Sequence, residues 1–531
     1  MFWRARSTSG KAICLSDQFP GIKVEEVMRG QVTFVGLPPV ELGTGEIDWT
    51  ANPHGNRSWA LNLHTLRWMG RLVGAYEQSG DRACLDRAAD ITTQWLRANP
   101  RGGAGVSPWA WAEHAVALRA PALVCLSEHV RTPALWDSLA EHGEVLAAPA
   151  LYREGHNHGL DQDIALLVVG CRLGRARWRD LAVRRMTGSA ERAIDAQGVL
   201  HEQAPRYGLY VHRRLGVALR AIRESGTEPP ERLLARRRAL ETYVAHATQP
   251  DGHLVPIGDS PADTRADGFP HEGPTVRVFD GGYVFGRTAW DDPHSAYYSI
   301  RFGPGRRLHG HEDHLGLTYA AQGRRILVEA GFHSYERTGY VDWTRSPEAH
   351  NVPIPTTGTF RPGTPTHLLS SSITPATQSF TLTDDAYGIR RTRHIVINHG
   401  TDWLAVHDTA DSGTLRTTFH LDPSLKLLSR GDGAVVLGDD TGFRVTLLHF
   451  PGKGESIRPG LVSTGYLRTA ENITVLSPEA QSVLTVIVPH SCTQDGHCGP
   501  MACGERRRCP SLASVQKDGF ELAKYFGRVR Q

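Results

Sequence analysis

The chain has 531 residues, of which 40% are hydrophobic and 22% are charged, and its formal net charge is +3. This length allows a large core in about two or three domains. The small positive net charge does not indicate the concentrated basic face that a nucleic-acid-binding protein usually has. No stretch approaches the roughly 20 apolar residues of a membrane helix. The first residues, "MFWRARSTSGKAICLSDQFPG", lack the apolar segment of a secretory signal. We therefore expect a cytoplasmic protein that binds neither nucleic acid nor membrane, with an unusual export route as the alternative.

The eight cysteines fall into two groups. The scattered group consists of Cys14, Cys84, Cys125 and Cys171, and the apolar, helical surroundings of the last three predict buried thiols. The second group crowds the tail "SCTQDGHCGPMACGERRRCP" beside His497 and consists of Cys492, Cys498, Cys503 and Cys509. Its spacings differ from the short pairs of common zinc sites. A loosely ordered tail with reduced thiols is the preferred interpretation, and a tail metal site is the alternative.

Residues from about 58 to 246 predict a succession of helices. In "RSWALNLHTLRWMGRLVGAYEQSG" and "YVHRRLGVALRAIRES" apolar residues recur at intervals of three and four. Breaks rich in proline and glycine, such as "RANPRGGAG", separate these segments. Because no strands intervene, the pattern favours a helical bundle or toroid over an α/β sheet.

A different pattern follows the stretch "TQPDGHLVPIGDSPADTRADGFPHEGP", whose composition is typical of a linker. Short alternating runs such as "SAYYSIRFG", "RHIVINHGTDWLAVHDTA" and "SVLTVIVPH" then recur between turn residues, which predicts an antiparallel β-sandwich. The predicted organisation is an N-terminal extension (1–57), a helical domain (58–250), a linker (251–275), a β-sandwich (276–490) and a cysteine-containing tail (491–531).

Two polar clusters interrupt the helical half. "YREGHNHGLDQDIAL" places Asn157, His158 and two aspartates at or just before a helix start, where capping of free backbone N–H groups is the alternative to a functional role. "LHEQAPRYGLYVH" places Glu202, Gln203, Arg206 and Tyr207 before the next helix. For a lone tyrosine beside a proline, packing is the common role.

The stretch "RRLHGHEDHLGL" concentrates histidines and carboxylates in the β half. If it is extended, His309, His311 and Asp313 share one face, because successive side chains of a strand alternate. The text "TYAAQGRRILVE" predicts a hairpin that ends at Glu329, and "TRSPEAHNVPIP" supplies His350. Two histidines and a carboxylate on neighbouring strand ends suit zinc, and solvated surface histidines are the alternative.

The order of these motifs resembles the heparinase II/III-like polysaccharide lyases. The resemblance rests on "NHGLDQDIALL", "HEQAPRYGLYVH", "LHGHEDHLGLTYAAQGRRILVEAGFHSY" and "RSPEAHNV", and on "GEIDWTANPHGNRSWALNLHTLRWM" and "WAWAEHAVALRA" nearer the start. It implies an N-terminal (α/α) toroid followed by an antiparallel β-sandwich. It also implies cleavage of a uronic-acid-containing glycan by β-elimination.

The same resemblance implies roles for individual residues. Asn157 and His158 would bind or neutralise the carboxylate of the substrate. Tyr207 would be the general acid, with the role of base also open to it, and His309 would be a second acid/base candidate. Neutralisation of the carboxylate would stabilise the enolate-like charge that develops during elimination.

His311, Glu329 and His350 match zinc positions of the family, where the ion would hold loops in shape; no organic cofactor is implied. The family often has aspartate where Glu329 stands, which leaves open whether a metal is bound and how. We place Asp313 behind a histidine as an orienting group.

Further residues are candidates for substrate binding because aromatic rings stack on sugars and guanidinium groups form paired bonds to acidic groups. They are Trp111, His114, Arg119, Gln203, Arg206, Tyr335, Tyr340 and Arg345. For the arginines, a surface or structural role is the common alternative, and the sequence does not choose between Tyr335 and Tyr340 as the tyrosine nearest the site.

The predicted partner is an anionic polysaccharide or oligosaccharide, and a homodimer is left open. Without a secretory signal, the resemblance favours short imported oligosaccharides or trimming of the polysaccharide that the cell makes. Two other functions remain open: a catalytically inactive glycan-binding or polysaccharide-assembly protein of the same fold, and a zinc-dependent hydrolase built on the sandwich histidines.

Overall fold

The computed structural model describes residue 10 and residues 12–15, 21–270, 272–400 and 402–491. The predicted cysteine-containing tail therefore lies outside the described residues beyond Ser491. The chain forms two compact units. Unit 1 extends to Asp195 and includes Tyr210–Arg238, whereas unit 2 consists of Ala196–Leu209 and the chain from Ala239 onward. Ala196–Leu209 thus belongs with the sheets, although the sequence-based boundaries place it in the helical domain.

The helices lie mainly in the first half of the chain. They are α1 (Val24–Met28), α2 (Arg57–His64), α3 (Arg67–Ser79), α4 (Arg82–Ala98), α5 (Glu113–His129), α6 (Pro133–Ala147), α7 (Asn157–Arg172), α8 (Ala176–Ala193), α9 (Pro205–Glu224), α10 (Glu231–His246) and α11 (Gly339–Thr344). Their starts follow from the sequence, because Asn56, Asp81 and Thr132 accept backbone hydrogen bonds as N-caps of α2, α4 and α6.

Helix α7 is the most enclosed helix of unit 1. Every residue from Gly159 to Arg172 is buried, and α5, α6 and α8 pack against it. Residues 164–170 are all apolar, as expected of a helix surrounded by others, whereas the first half of the helix buries the polar residues Asp161, Gln162 and Asp163. In the described part of the chain no helix combines the length and apolar character needed to cross a lipid bilayer.

Unit 1 also corrects one prediction about the cysteines. Cys84 and Cys171 are buried, as predicted. Cys125 is buried but is not free, because it forms a disulfide with Cys14. This bond ties the segment at residues 12–15 to the C-terminal half of α5. Sequence spacing could not show it, because the two cysteines are 111 residues apart.

The strands are β1 (Gln31–Val32), β2 (Val40–Glu41), β3 (Val276–Phe279), β4 (Tyr283–Arg287), β5 (Tyr297–Arg301), β6 (Leu317–Ala321), β7 (Arg324–Leu327), β8 (Pro353–Pro355), β9 (His367–Ile373), β10 (Thr377–Asp384), β11 (Arg391–Asn398), β12 (Trp403–Ala410), β13 (Leu415–His420), β14 (Lys426–Gly431), β15 (Ala434–Gly438), β16 (Phe443–Phe450), β17 (Ser456–Gly465), β18 (Arg468–Leu476) and β19 (Ser482–Ser491). Strand β10 shows why they form, because "TQSFTLTD" alternates between partly exposed and buried positions.

The described residues of unit 2 form three antiparallel sheets. Their strand orders are β3-β4-β5-β6-β7, β14-β15-β16-β19-β12-β11-β10-β9 and β17-β18-β13-β8. One hydrophobic cluster joins all three, with Tyr298 and Leu317 from the first, Phe380 from the second and Phe419 from the third. Sheets that share a core through their inner faces form a β-sandwich, and the predicted hairpin before Glu329 is confirmed by the pairing of β6 with β7.

Candidate active site

Tyr207 and His309 lie on two segments of unit 2 that backbone contacts join directly. The N–H of His309 donates to the carbonyl of Glu202 at 3.1 Å, and the N–H of Asp259 donates to the carbonyl of His309 at 2.8 Å. The second contact requires glycine at position 258, because a Cβ atom there would lie 2.5 Å from the His309 carbonyl oxygen. Backbone hydrogen bonds therefore position Tyr207, Asp259 and His309 before any side chain contributes.

Gln203 reinforces this arrangement. Its side-chain amide donates to the carbonyls of Pro304 and Gly305 at 3.1 Å and accepts from the N–H of Arg307 at 2.6 Å. The residue is 2% exposed and has a positive φ of 62°, a conformation that residues other than glycine seldom adopt. Gln203 was predicted to bind substrate, but its amide is engaged with the loop that leads to His309.

The ring of Tyr207 lies parallel to the ring of His309. Their centroids are 3.6 Å apart, and their planes differ by 10°. The hydroxyl of Tyr207 hydrogen-bonds with the hydroxyl of Tyr335, and the ring of Tyr335 meets His309 edge-on at 6.3 Å. Desolvation, together with the nearby Tyr335 hydroxyl, raises the pKa of Tyr207 well above its usual value, so this tyrosine keeps its proton at neutral pH.

The structure separates the two tyrosines that the sequence left unresolved. Tyr335 contacts Tyr207. The hydroxyl of Tyr340 contacts the Ser463 hydroxyl at 3.2 Å, and its ring stacks on Trp343. Of the two, Tyr335 is therefore the tyrosine that accompanies Tyr207 and His309.

Asp259 is a residue of this cluster that the sequence analysis did not select. Its carboxylate accepts from His309 Nδ1 at 2.8 Å, from His311 Nε2 at 3.1 Å and from Arg345 at 3.3 Å. Burial alone would raise the pKa of Asp259, but the hydrogen bonds from the two histidines lower it well below its usual value. The only signal in the sequence was an aspartate between glycine and serine in "PIGDSP", within a stretch whose composition is that of a linker.

The segment from His309 to His314 is not extended, which corrects the prediction of alternating faces. Turns include His309 and His314, a bend lies at Glu312, and Leu308 and Leu315 beside them have positive φ values of 42° and 67°. His309 and His311 nevertheless meet at Asp259. Asp313 pairs with Arg301 at 3.2 Å instead of orienting a histidine.

The three residues predicted to bind zinc are buried in unit 2. His350 Nδ1 hydrogen-bonds with Glu329, while His350 Nε2 has no partner among the described residues. The donor types suit zinc and one imidazole nitrogen is available. However, among the described residues the ligand atoms of His311, Glu329 and His350 do not all lie within 4.8 Å of one another. A shared ion would therefore require the Glu329–His350 contact to open.

A second candidate cluster lies in unit 1 at the start of α7. His156 caps this helix, because its Nδ1 accepts from the N–H of His158 at 3.1 Å, so the capping that was the alternative role for this stretch comes from a histidine and not from an asparagine or aspartate. The ring of His158 stacks on the ring of His114 at 3.7 Å with 17° between planes. Its Nδ1 lies 3.4 Å from Glu113. Asn157 is buried as the first residue of the helix.

Asp161 fixes the other side of this cluster. It accepts from Tyr210 and Arg214, each at 2.6 Å, and lies 3.0 Å from His114 Nε2. Burial alone would raise the pKa of Asp161, but Arg214 and His114 lower it well below its usual value. A buried carboxylate with three partners orients His114, and stacking then orients His158.

Two residues of unit 1 that were predicted to contact substrate make contacts within this unit. Arg119 is fully buried, lies 3.9 Å over the ring of Trp95 and donates to the carbonyl of His64 at 2.8 Å. Trp111 donates from its indole to the carbonyl of Asn99 and packs beside His142. These positions support the alternative stated for Arg119, a structural arginine, because an enclosed guanidinium does not reach a ligand in solution.

The two remaining arginines lie in unit 2. Arg345 contacts Asp259 and is 24% exposed. Arg206 is half-buried, and its backbone N–H donates to Ser260 at 3.1 Å. Both arginines therefore stay close to the residues around Asp259, and their contact with substrate remains a prediction.

Two protein-family models match most of the chain. The model described as "Heparinase II/III N-terminus" matches residues 21–268, and the model described as "Heparinase II/III-like, C-terminal" matches residues 280–493. No curated protein sequence matches significantly.

Solved structures share the fold at low sequence identity. Heparinase III aligns with a TM-score of 0.73 and 17% identity over 86% of this chain and 82% of its own. Heparan sulfate lyase from Pedobacter heparinus aligns with a TM-score of 0.64 and 16% identity over 91% and 84%. A chondroitin AC lyase from Streptomyces coelicolor in complex with chondroitin sulphate aligns with a TM-score of 0.54 and 14% identity over 84% and 77%.

These matches confirm the predicted fold class, an N-terminal (α/α) toroid followed by an antiparallel β-sandwich. The two family models together cover residues 21–268 and 280–493, and they do so in the order that the motifs predicted. The chain belongs to the heparinase II/III-like family.

Proposed function

We propose that this protein is a lyase that cleaves a uronic-acid-containing polysaccharide or oligosaccharide by β-elimination. The observation that supports this most is the pairing of Tyr207 with His309. A phenol that keeps its proton is stacked on an imidazole whose Nδ1 is engaged by a carboxylate. An acid and a base side by side are what an elimination needs, because a proton leaves one carbon while the neighbouring oxygen takes one up.

In the proposed reaction His309 Nε2 accepts the proton from C5 of the uronate, and Tyr207 donates its proton to the departing O4. The C5–H and C4–O4 bonds break as a C4–C5 double bond forms, so no water is consumed. The raised pKa of Tyr207 leaves the phenol protonated when the substrate binds. The engagement of His309 Nδ1 by Asp259 supports Nε2 as the accepting nitrogen.

The carboxylate of the uronate must be neutralised for C5 to lose its proton. We assign this role to Asn157 and His158, and the assignment rests on their match to the family motif. An amide donor and an imidazole at one helix start can both donate to a carboxylate. The structural neighbours named for heparan sulfate and chondroitin sulphate support an anionic glycan as the substrate class.

Zinc is a separate proposal on which no step above depends. The donor types of His311, Glu329 and His350 support it, as does the unpartnered His350 Nε2. We assign the ion a structural role, which is the role that the match of these three residues to the zinc positions of the family implies.

The disulfide bears on the compartment in which we expect the protein to act. A cytoplasmic location stays a prediction from the sequence, whereas the bond between Cys14 and Cys125 favours an oxidising compartment. Peptide mapping without reductant, on protein purified from its native compartment, distinguishes the two. A cross-linked pair of peptides supports export, and two free thiols support the cytoplasm.

A panel of glycosaminoglycans, alginates and bacterial exopolysaccharides tests the function. A lyase produces an unsaturated uronate that absorbs in the near ultraviolet, a hydrolase produces a reducing end without this chromophore, and a binding protein produces neither. Binding of an anionic glycan without any product would favour the alternative, a catalytically inactive glycan-binding or polysaccharide-assembly protein.

A further inference from the structure

Asp259 occupies the centre of the hydrogen-bond network around His309. It is 3% exposed, and each of its oxygens has its own partners. Oδ2 accepts from His309 Nδ1 at 2.8 Å, and Oδ1 accepts from His311 Nε2 and from Arg345. The backbone N–H of Asp259 also donates to the carbonyl of His309. Both the main chain and the side chain of Asp259 therefore contact His309.

Two contacts fix the ring of His309 in complementary ways. The stack on Tyr207, with 10° between planes, sets the plane of the imidazole. The carboxylate of Asp259 determines which edge of that plane carries Nδ1. Nε2 then lies on the opposite edge, where its separation from the Glu202 carboxylate is 3.7 Å.

We propose that Asp259 is a positioning residue that holds His309 with its proton on Nδ1, which leaves Nε2 as the nitrogen that acts in the reaction. The inference rests on the proposed function, because it assigns Asp259 a role through His309 and not through contact with substrate. Arg345 and His311 secure the other oxygen, so the carboxylate cannot rotate away from His309 without losing both contacts.

The substitution Asp259→Asn tests the positioning role, because asparagine donates and accepts hydrogen bonds in a different pattern from aspartate. Asparagine has one oxygen in place of two, and its amide nitrogen can only donate. Arg345 can only donate as well, so the oxygen must face Arg345 and His311. The NH₂ group then faces His309, whose Nδ1 must become an acceptor while the proton moves to Nε2.

The first measurement is the tautomer of His309, and it does not depend on activity. Nitrogen NMR of protein labelled with ¹⁵N-histidine reports which ring nitrogen carries the proton, and the His309→Gln variant assigns the signal. We expect Nδ1–H in the wild type and Nε2–H in Asp259→Asn. Wild-type protein with its proton on Nε2 would overturn the proposal even if the variant does not fold.

The second measurement is turnover on the glycan that the panel identifies. We expect kcat to fall about 10²- to 10⁴-fold in Asp259→Asn, because the acting nitrogen carries a proton, while KM changes little. The control is Asp263→Asn, since Asp263 is 45% exposed and pairs with Arg468, and this variant should keep both tautomer and turnover.

The possible outcomes separate the two hypotheses. A lower melting temperature with unchanged tautomer and kcat would show a structural role only and would refute the positioning role. A changed tautomer in a protein that eliminates no glycan would uphold the role of Asp259 in holding His309 and would refute the proposed lyase function instead.

Discussion

The imidazole of His309 lies flat on the phenol of Tyr207, with 3.6 Å between the ring centroids. The two residues are 102 positions apart in sequence. Tyr335 contacts both of them, because its hydroxyl hydrogen-bonds with the Tyr207 hydroxyl and its ring meets the His309 ring edge-on. A phenol and an imidazole are thereby held side by side in unit 2.

The substitution Tyr207→Phe removes the proposed acid and keeps the ring that stacks on His309. We expect kcat to fall on the order of 10²- to 10⁴-fold, with little change in melting temperature because the stack remains. Tyr340→Phe is the matched control, since its hydroxyl bonds Ser463. Equal turnover in the wild type and in Tyr207→Phe would remove Tyr207 from the mechanism.

The substitution Asn157→Ala tests recognition of the carboxylate. The affinity for a uronate oligosaccharide should fall about 10- to 100-fold, as expected for loss of a hydrogen bond to a charged group. The affinity for the same oligosaccharide with its carboxyl groups reduced to alcohols should change much less. Isothermal titration calorimetry measures both, and an equal loss for the two ligands contradicts the assigned role.

Metal analysis tests the zinc proposal. We expect elemental analysis of the purified protein to find about one zinc per chain. His311→Ala should lose that metal and lower the melting temperature more than the substrate affinity. Wild-type protein without zinc would leave the Glu329–His350 contact as a metal-free pair and would end the proposal.

Buried histidines predict how stability depends on pH. Burial lowers the pKa of His449 in β16 to about 4, whereas in the unfolded chain it is about 6.5. As pH falls through this window, the unfolded chain takes up a proton that the folded chain does not, so stability is lost. The free energy of unfolding should therefore decrease from pH 6.5 to pH 4.

Chemical denaturation of His449→Gln at several pH values measures the contribution of this residue. Removal of His449 should reduce the slope of the free energy of unfolding against pH, between pH 6.5 and pH 4, by up to about 1.4 kcal/mol per pH unit. His367→Gln, at an exposed position in β9, should keep the wild-type slope. If His449→Gln also keeps it, the ring is not buried in its neutral form.

The overall fold was predictable because it depends on periodicity. Apolar spacing identified the helices, and alternation such as that of "TQSFTLTD" identified the strands, since each pattern follows from which side chains must be buried. The motifs also identified Tyr207 and His309. Their stacking and their contact with Tyr335 were not predictable, because they depend on how loops fold.

Asp259 shows where sequence reasoning failed. It lies in a stretch rich in proline, glycine and aspartate, whose composition is typical of a linker, and periodicity carries no information there. Its role comes from the close approach of Gly258 to the carbonyl of His309, 51 residues further along the chain. Arg119 shows the opposite error, because a guanidinium that suits a carboxylate also suits the face of Trp95 in a core.

The central claim is that the chain cleaves uronate glycans by elimination. The most direct test incubates the wild-type protein with the substrate panel in ¹⁸O-water and measures the masses of the products. The account predicts products that absorb in the near ultraviolet, that together have the mass of the intact glycan and that carry no ¹⁸O. Products that are together heavier by one water per cleaved bond, with ¹⁸O incorporated, would contradict it.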